Sequence, residues 1–168
     1  RLNVDLFGPL RTESGKKFIM TMVDPFSKHA EFCALSSKEP EVVAKALFDR
    51  WICRFGVVDI MISDKGAEFC SKLSQELYDL LGIDKRSTTA RHPMCNGSAE
   101  ILNKHIASYL TSMLDQNVLD WENLLPALQF SYNCSTSKSN KMTPFFLLYG
   151  KHPKTPFFDP NFSDQIMY

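Results

Sequence analysis

Val57-Val58-Asp59-Ile60-Met61-Ile62-Ser63-Asp64, running into Lys65-Gly66-Ala67-Glu68-Phe69, is the stretch on which the fold turns. Val57 to Ile62 is dense in apolar and β-branched residues, the composition of a strand buried on both faces. After it, Phe69, Leu73, Leu77, Leu80 and Leu81 predict an amphipathic helix stopped at Gly82, then a weaker strand around Ile83 to Thr88. Before it, Pro40 to Phe55 reads as a helix, with Pro in the first turn and Gly56 just past the end. Val43, Leu47, Trp51 and Phe55 give that helix its buried stripe. Strands alternating with helices imply right-handed crossovers and parallel pairing in this half.

Working outward, Leu2 to Phe7, Phe18 to Val23 and His29 to Leu35 read as strands joined by short connections at Gly8-Pro9 and Asp24-Pro25. Such connections favour an antiparallel meander. A helix is expected from Ser98 to Gln116, with Leu102, Ile106, Tyr109, Leu110 and Met113 inward. Another starts at Asp120, carrying Trp121, Leu124, Leu125, Leu128 and Tyr132; Pro126 inside it is expected to break a backbone bond or bend it. That apolar face fits either the core or a contact between copies of the chain. Thr143-Pro144 opens a short helix ending at Tyr149-Gly150. The expectation is an α/β fold with a five-stranded mixed sheet, three antiparallel strands followed by parallel ones, flanked by helices. The domain would cover residues 1–152, with 153–168 as an irregular extension.

At 168 residues the chain can bury a real core as one domain. It opens at Arg1 within a predicted strand, as a piece of a longer protein would. No apolar run has membrane length. A formal net charge of zero does not advertise nucleic-acid binding, so a DNA substrate would need its phosphates gripped by metals or by other subunits and domains. The five cysteines are scattered, with no close pair of zinc-site type, and read as free thiols of a reducing compartment.

Three acids stand in unusual settings. Asp5 interrupts the apolar run Leu2-Asn3-Val4-Asp5-Leu6-Phe7, where an acid is depleted and expensive to bury. Asp64 ends the most buried-looking strand, the usual place for sites in α/β sheets. Glu100 opens a helix behind His92-Pro93-Met94-Cys95-Asn96-Gly97. Each has a plainer reading: a solvated strand face for Asp5, a turn or helix cap for Asp64, a surface pair with Lys104 for Glu100. Spacing does not choose between them. Thirty-five residues separate Asp64 from Glu100, and equally Asp5 from Glu41, an acid in a first helical turn. Brought together, the three would repel, and such a site asks for divalent metal. Asp24, Asp59 and Glu68 read as turn, surface and helix-start acids.

The chain resembles the catalytic core of retroviral and long-terminal-repeat retrotransposon integrases, and is most similar to the Ty3/gypsy type. The resemblance rests on Val4-Asp5-Leu6-Phe7-Gly8-Pro9-Leu10, Val23-Asp24-Pro25-Phe26-Ser27-Lys28, Ser63-Asp64-Lys65-Gly66-Ala67-Glu68-Phe69, His92-Pro93 with Asn96-Gly97 and Glu100, and Thr143-Pro144-Phe145-Phe146-Leu147-Leu148-Tyr149-Gly150. Together, in order, these are specific. Met94-Cys95 stands where the family usually shows Gln-Thr, and Ile101-Leu102-Asn103-Lys104 where it shows Arg-Phe-Asn-Arg. Those changes spare the three acids and fall among expected DNA contacts.

The resemblance implies an RNase H-like fold and assigns Asp5, Asp64 and Glu100 to the metal triad. Asp5 would bridge two Mg²⁺ (or Mn²⁺) ions when DNA is bound, with Asp64 and Glu100 each completing one site. The nucleophile would be water in trimming a DNA end and a DNA 3′-hydroxyl in joining that end to target DNA. Asn96, Gly97, Lys104 and Arg91 are the DNA-contact candidates, with Lys85 behind them. A homodimer or higher homo-oligomer, action in the nucleus after passage through the cytoplasm, and no membrane partner complete the implied picture. The competing readings are a domesticated, non-catalytic DNA- or protein-binding domain and an RNase H-like nuclease that only hydrolyses.

Overall fold

The structure, a computed structural model, describes residues 1–87, 102, 121–137 and 139–154. Strands β1 (Leu2–Phe7), β2 (Phe18–Val23) and β3 (Ala30–Leu35) form an antiparallel meander. Strands β4 (Ile60–Ser63) and β5 (Asp84–Ser87) pair parallel, giving the mixed order β3-β2-β1-β4-β5. β1 is therefore central, with antiparallel pairing on one side and parallel pairing on the other. Its turn out of the sheet requires glycine: Gly8 has φ +135°, and a Cβ there would meet the Lys17 carbonyl at 2.5 Å.

Alternation along the strands separates two cores. One face carries Leu2, Val4, Met20, Met22 and Met61 against helix α1 (Pro40–Leu47), through Val43, Ala46 and Leu47, and also packs on Trp51, Phe69 and Tyr78. The other carries Ile19, Val23, Ala30 and Phe32 against Leu102, Trp121 and Leu125. α1 continues as a π-helical turn (Phe48–Ile52) and a last turn α2 (Cys53–Phe55), so the helical segment runs to Phe55 as expected.

Three expectations are corrected. The β4 ladder starts at Ile60 rather than Val57, which is 50 % exposed, because the chain must first turn away from Gly56. The helix through Phe69 is two: α3 (Ala67–Cys70) and α4 (Lys72–Leu81). Ser71 caps α4 by accepting from Ser74 N–H at 3.1 Å, and the break shifts the helical phase. Ser74 and Tyr78 therefore turn inward, while Leu73 and Leu80 are exposed. Gly82 then closes α4 in the left-handed conformation, as its place after the apolar pattern implied. Third, a 3₁₀ turn (Trp121–Leu124) leads into α5 (Leu125–Cys134), where Pro126 occupies the first turn. An N–H there has no helical partner, so the proline breaks no bond. Trp121 is fully buried with its indole N–H on Arg11 O at 3.0 Å, and Leu125 is core, so this face packs within the chain. Helix α6 (Pro144–Tyr149) is capped by Thr143 as expected. Residues 155–168 and most of the expected 98–116 helix lie outside the described residues. No described helix is long and apolar enough to cross a membrane.

Candidate active site

Parallel pairing brings the two described acids of the expected triad to one end of the sheet. β1 and β4 pair Leu2 with Met61 and Asn3 with Ile62. The paired stretch ends there, two residues short of Asp5 along β1 and of Asp64, which directly follows Ser63 at the end of β4. Leu2 and Val4 point into the first core, so Asp5 lies with Asn3 on the opposite face, level with Thr21 of β2. Asp5 is half-buried and Asp64 exposed.

Backbone donors orient both carboxylates. Asp5 Oδ1 accepts from Leu6 N–H at 2.9 Å, and Thr21 Oγ1 donates to the Asp5 carbonyl at 3.4 Å. Asp64 Oδ1 accepts from Gly66 N–H at 3.0 Å, the bond expected of a turn-forming aspartate, while Ser63 Oγ donates to the Asp64 carbonyl at 2.8 Å. The turn reading of Asp64 is thus correct, and it fixes one carboxylate oxygen without closing the other to solvent. Carboxylates are hard oxygen donors of the kind Mg²⁺ and Mn²⁺ take. Among the described residues no group of three or more His, Cys, Asp or Glu side chains gathers as a metal site. Glu100, Arg91, Asn96, Gly97 and Lys104 lie outside the described residues. Leu102, two residues past Glu100, is helical and buried in the core on the Asp5 face.

The remaining acids take the plain roles read for them. Asp24 accepts from the Ser27 hydroxyl at 2.6 Å and from the Phe26 and Ser27 N–H groups. Burial pushes its carboxyl up, but these hydrogen bonds outweigh that and hold it below the ordinary value. Glu68 folds back over Gly66 in the first turn of α3, 4.0 Å from Lys38 Nζ. Asp59 is exposed. The four described cysteines are free thiols, as expected.

One residue ranked low in the sequence reading stands out in the structure, and another escaped that reading. Lys85 on β5 is half-buried; burial holds its ammonium below the ordinary lysine value, opposed by the charges of Cys70 and Asp64. Glu31 on β3 is 1 % exposed, hydrogen-bonded to His29 Nε2 at 3.4 Å and ion-paired with Arg54 Nη1. The signal for Glu31 was available: it interrupts the apolar run of β3 as Asp5 interrupts that of β1. Glu31, Arg50, Gln129, Asn133 and Tyr149 help line a cavity of about 570 Å³, in which Asp5 and Asp64 have no part.

Residues 1–93 match the family described as integrase core domain. The chain is 34% identical over 151 residues to the Gag-Pol polyprotein of feline leukemia virus, covering 89% of this chain and 9% of that polyprotein. It is 26% identical over 157 residues to a retrovirus-related Pol polyprotein from transposon 412 of Drosophila melanogaster, covering 93% of this chain and 13% of the relative. The chain thus spans a small part of these relatives. Among solved structures, the HTLV-2 integrase catalytic core domain in complex with magnesium superposes with a TM-score of 0.66 at 19% identity, covering 86% of this chain and 92% of that one. The catalytic core domain of BIV integrase superposes with a TM-score of 0.66 at 21% identity, covering 87% and 91%. At those identities the likeness is one of fold, and with the family match it means that this chain belongs to the integrase core domain family.

Proposed function

We propose that the chain is an integrase catalytic core that processes DNA 3′ ends and transfers them to target DNA by in-line phosphodiester transesterification. The observation that supports this reading is the parallel pairing of β1 with β4, which brings the strand carrying Asp5 beside the strand that Asp64 follows. Asp5, Asp64 and Glu100 hold Mg²⁺ or Mn²⁺; two ions are expected when DNA is bound. Glu100 takes the third place by the family resemblance of the segment His92-Pro93 to Glu100. Bound there, divalent cations supply charge neutralisation and Lewis acidity at the attacked phosphodiester. The protein's part is preorganisation: the Leu6 and Gly66 N–H groups fix the carboxylates before substrate arrives. Asn96, Gly97, Lys104 and Arg91 contact the DNA, which comprises element ends and target. Assembly as a homodimer or higher oligomer and action in the nucleus belong to the same proposal.

The test is a joining and reverse-joining assay in Mg²⁺ and in Mn²⁺, comparing wild type with Asp64→Asn. Joined product from wild type alone supports the reading, and equal activity of the two proteins sinks the triad. Cleavage without joining makes the chain a nuclease. Inactivity in both metals, in a chain of zero net charge with Met94-Cys95 in its loop, favours the non-catalytic binding domain.

A further inference from the structure

β5 is an outer strand made of Asp84-Lys85-Arg86-Ser87, and its two cations are placed differently. Arg86 is neutralised on the spot: its Nη2 and Nε reach Asp84 Oδ2 at 2.6 and 2.8 Å, and both residues are exposed. Lys85 has no such pair among the described residues. It is level with Met61, a first-core residue, so its half-buried stem lies along that apolar face. Its ammonium reaches forward along β5, donating to Arg86 O at 3.1 Å and Ser87 Oγ at 3.5 Å. Arg86 and Ser87 are level with Ile62 and Ser63 of β4, so Lys85 Nζ is carried to the end of the sheet where Asp64 begins.

An ammonium has three donors and strong hydration to replace. Here it is half-desolvated and holds two neutral oxygens, one at the limit of a hydrogen bond. Asp64 acts on it from a distance and commits one oxygen to Gly66. The arrangement suits an anion that arrives from outside, at the spot where a phosphodiester beside Asp64 would pass.

We propose that Lys85 holds a backbone phosphate of the DNA strand entering beside Asp64, a contact that fixes register on the strand without reading its sequence. The proposal rests on the reading of DNA as substrate. The test measures binding of a labelled DNA duplex in EDTA across a salt series, for wild type, Lys85→Gln, Lys85→Arg and Lys72→Gln. Lys72 lies on exposed α4, 92% exposed, and serves as the control for net charge.

One lost phosphate contact lowers the slope of log K against log salt by about 1, which is about eightfold in affinity at 0.1 M salt. Lys85→Gln shows that loss on every DNA sequence tried, Lys85→Arg recovers the slope, and Lys72→Gln keeps it. Equal slopes for wild type and Lys85→Gln overturn the assignment and leave the DNA reading standing. An equal fall in Lys72→Gln, or no recovery in Lys85→Arg, also overturns it, by tracing the loss to net charge or to packing. Wild type with no salt-dependent binding overturns both this inference and the DNA reading.

Discussion

Asp5 and Glu31 both interrupt apolar runs in strands of one sheet, yet their surroundings are opposite. Glu31, on the outer strand β3, is sealed at 1 % exposure between His29 and the guanidinium of Arg54. Asp5, on the central strand β1, stays half-buried, and β1 pairs with the strand that the exposed Asp64 follows. Glu31 has its opposite charge built into the fold, whereas Asp5 and Asp64 take backbone N–H groups as hydrogen-bond partners. The first arrangement holds β3 to the helix ending at Phe55. The second is the one we propose for divalent metal. An acid in a strand therefore says little about chemistry until its neighbours are known.

The largest expected effect separates the two regions by function. Asp64→Asn should cut joining by about a thousandfold, as loss of several kcal/mol of metal-based stabilisation implies, while unfolding free energy moves by less than about 0.5 kcal/mol. Thermal melts with added Mn²⁺ give a second readout: the wild-type midpoint should rise and that of Asp64→Asn should not. A melt that responds to Mn²⁺ equally in both proteins would break the comparison at its open end.

Arg54→Met tests the closed end. It strands a buried carboxylate and should destabilise the chain by about 3–5 kcal/mol in denaturant titration. Glu31→Gln should cost less, because the Arg54 side chain it releases is 42% exposed and can turn to water. Additive effects of the two substitutions in the double variant would mean that the pair is not the unit we describe.

Asn133→Ala should cost about 2 kcal/mol. Its buried amide accepts from Ala30 N–H at 2.9 Å and donates to Ala30 O at 2.8 Å, filling the place a further strand would take on β3. Gln129 does the same for Phe32 N–H at 2.8 Å. Concentration-dependent association of Asn133→Ala in sedimentation would sharpen this, since an uncovered edge invites pairing between chains.

The smallest effect concerns the turn that feeds β3. The Asp24 carboxyl lies below its ordinary value of 3.8, so its contribution to stability is present above that pH and is lost as pH falls through the lowered folded value. Stability measured against pH should show that acid-side loss in wild type and lack it in Asp24→Ala.

Much of this was legible locally. β1 and β2 were read with the bounds they have, and Thr143 and Gly82 announced a helix start and stop through cap chemistry that needs only a few neighbours. Asp24 as a turn acid and Asp64 as both strand end and turn former were equally local. The inward face of α4 was not legible, because a single hydrogen bond at Ser71 resets the helical phase that Leu73 and Leu80 otherwise suggest. Pro126 looked like a break because its harm depends on where the helix begins. Glu31 went unremarked because its partner Arg54 arrives from a helix beyond the next connection.

By itself, then, the sequence determined the strands and helices, the order that makes half the sheet parallel, and which acids sit at unusual places. Apolar periodicity and caps are local, and they act wherever the chain goes. Only the tertiary structure decided that the strand of Asp5 pairs with the one Asp64 follows, that Glu31 is neutralised within the fold, that Trp121 and Leu125 turn into the core, and that Lys85 is half-buried along the Met61 face. Each of these depends on the register between strands or on packing between elements distant in sequence, where the choice is made by burial and charge compensation across the whole domain.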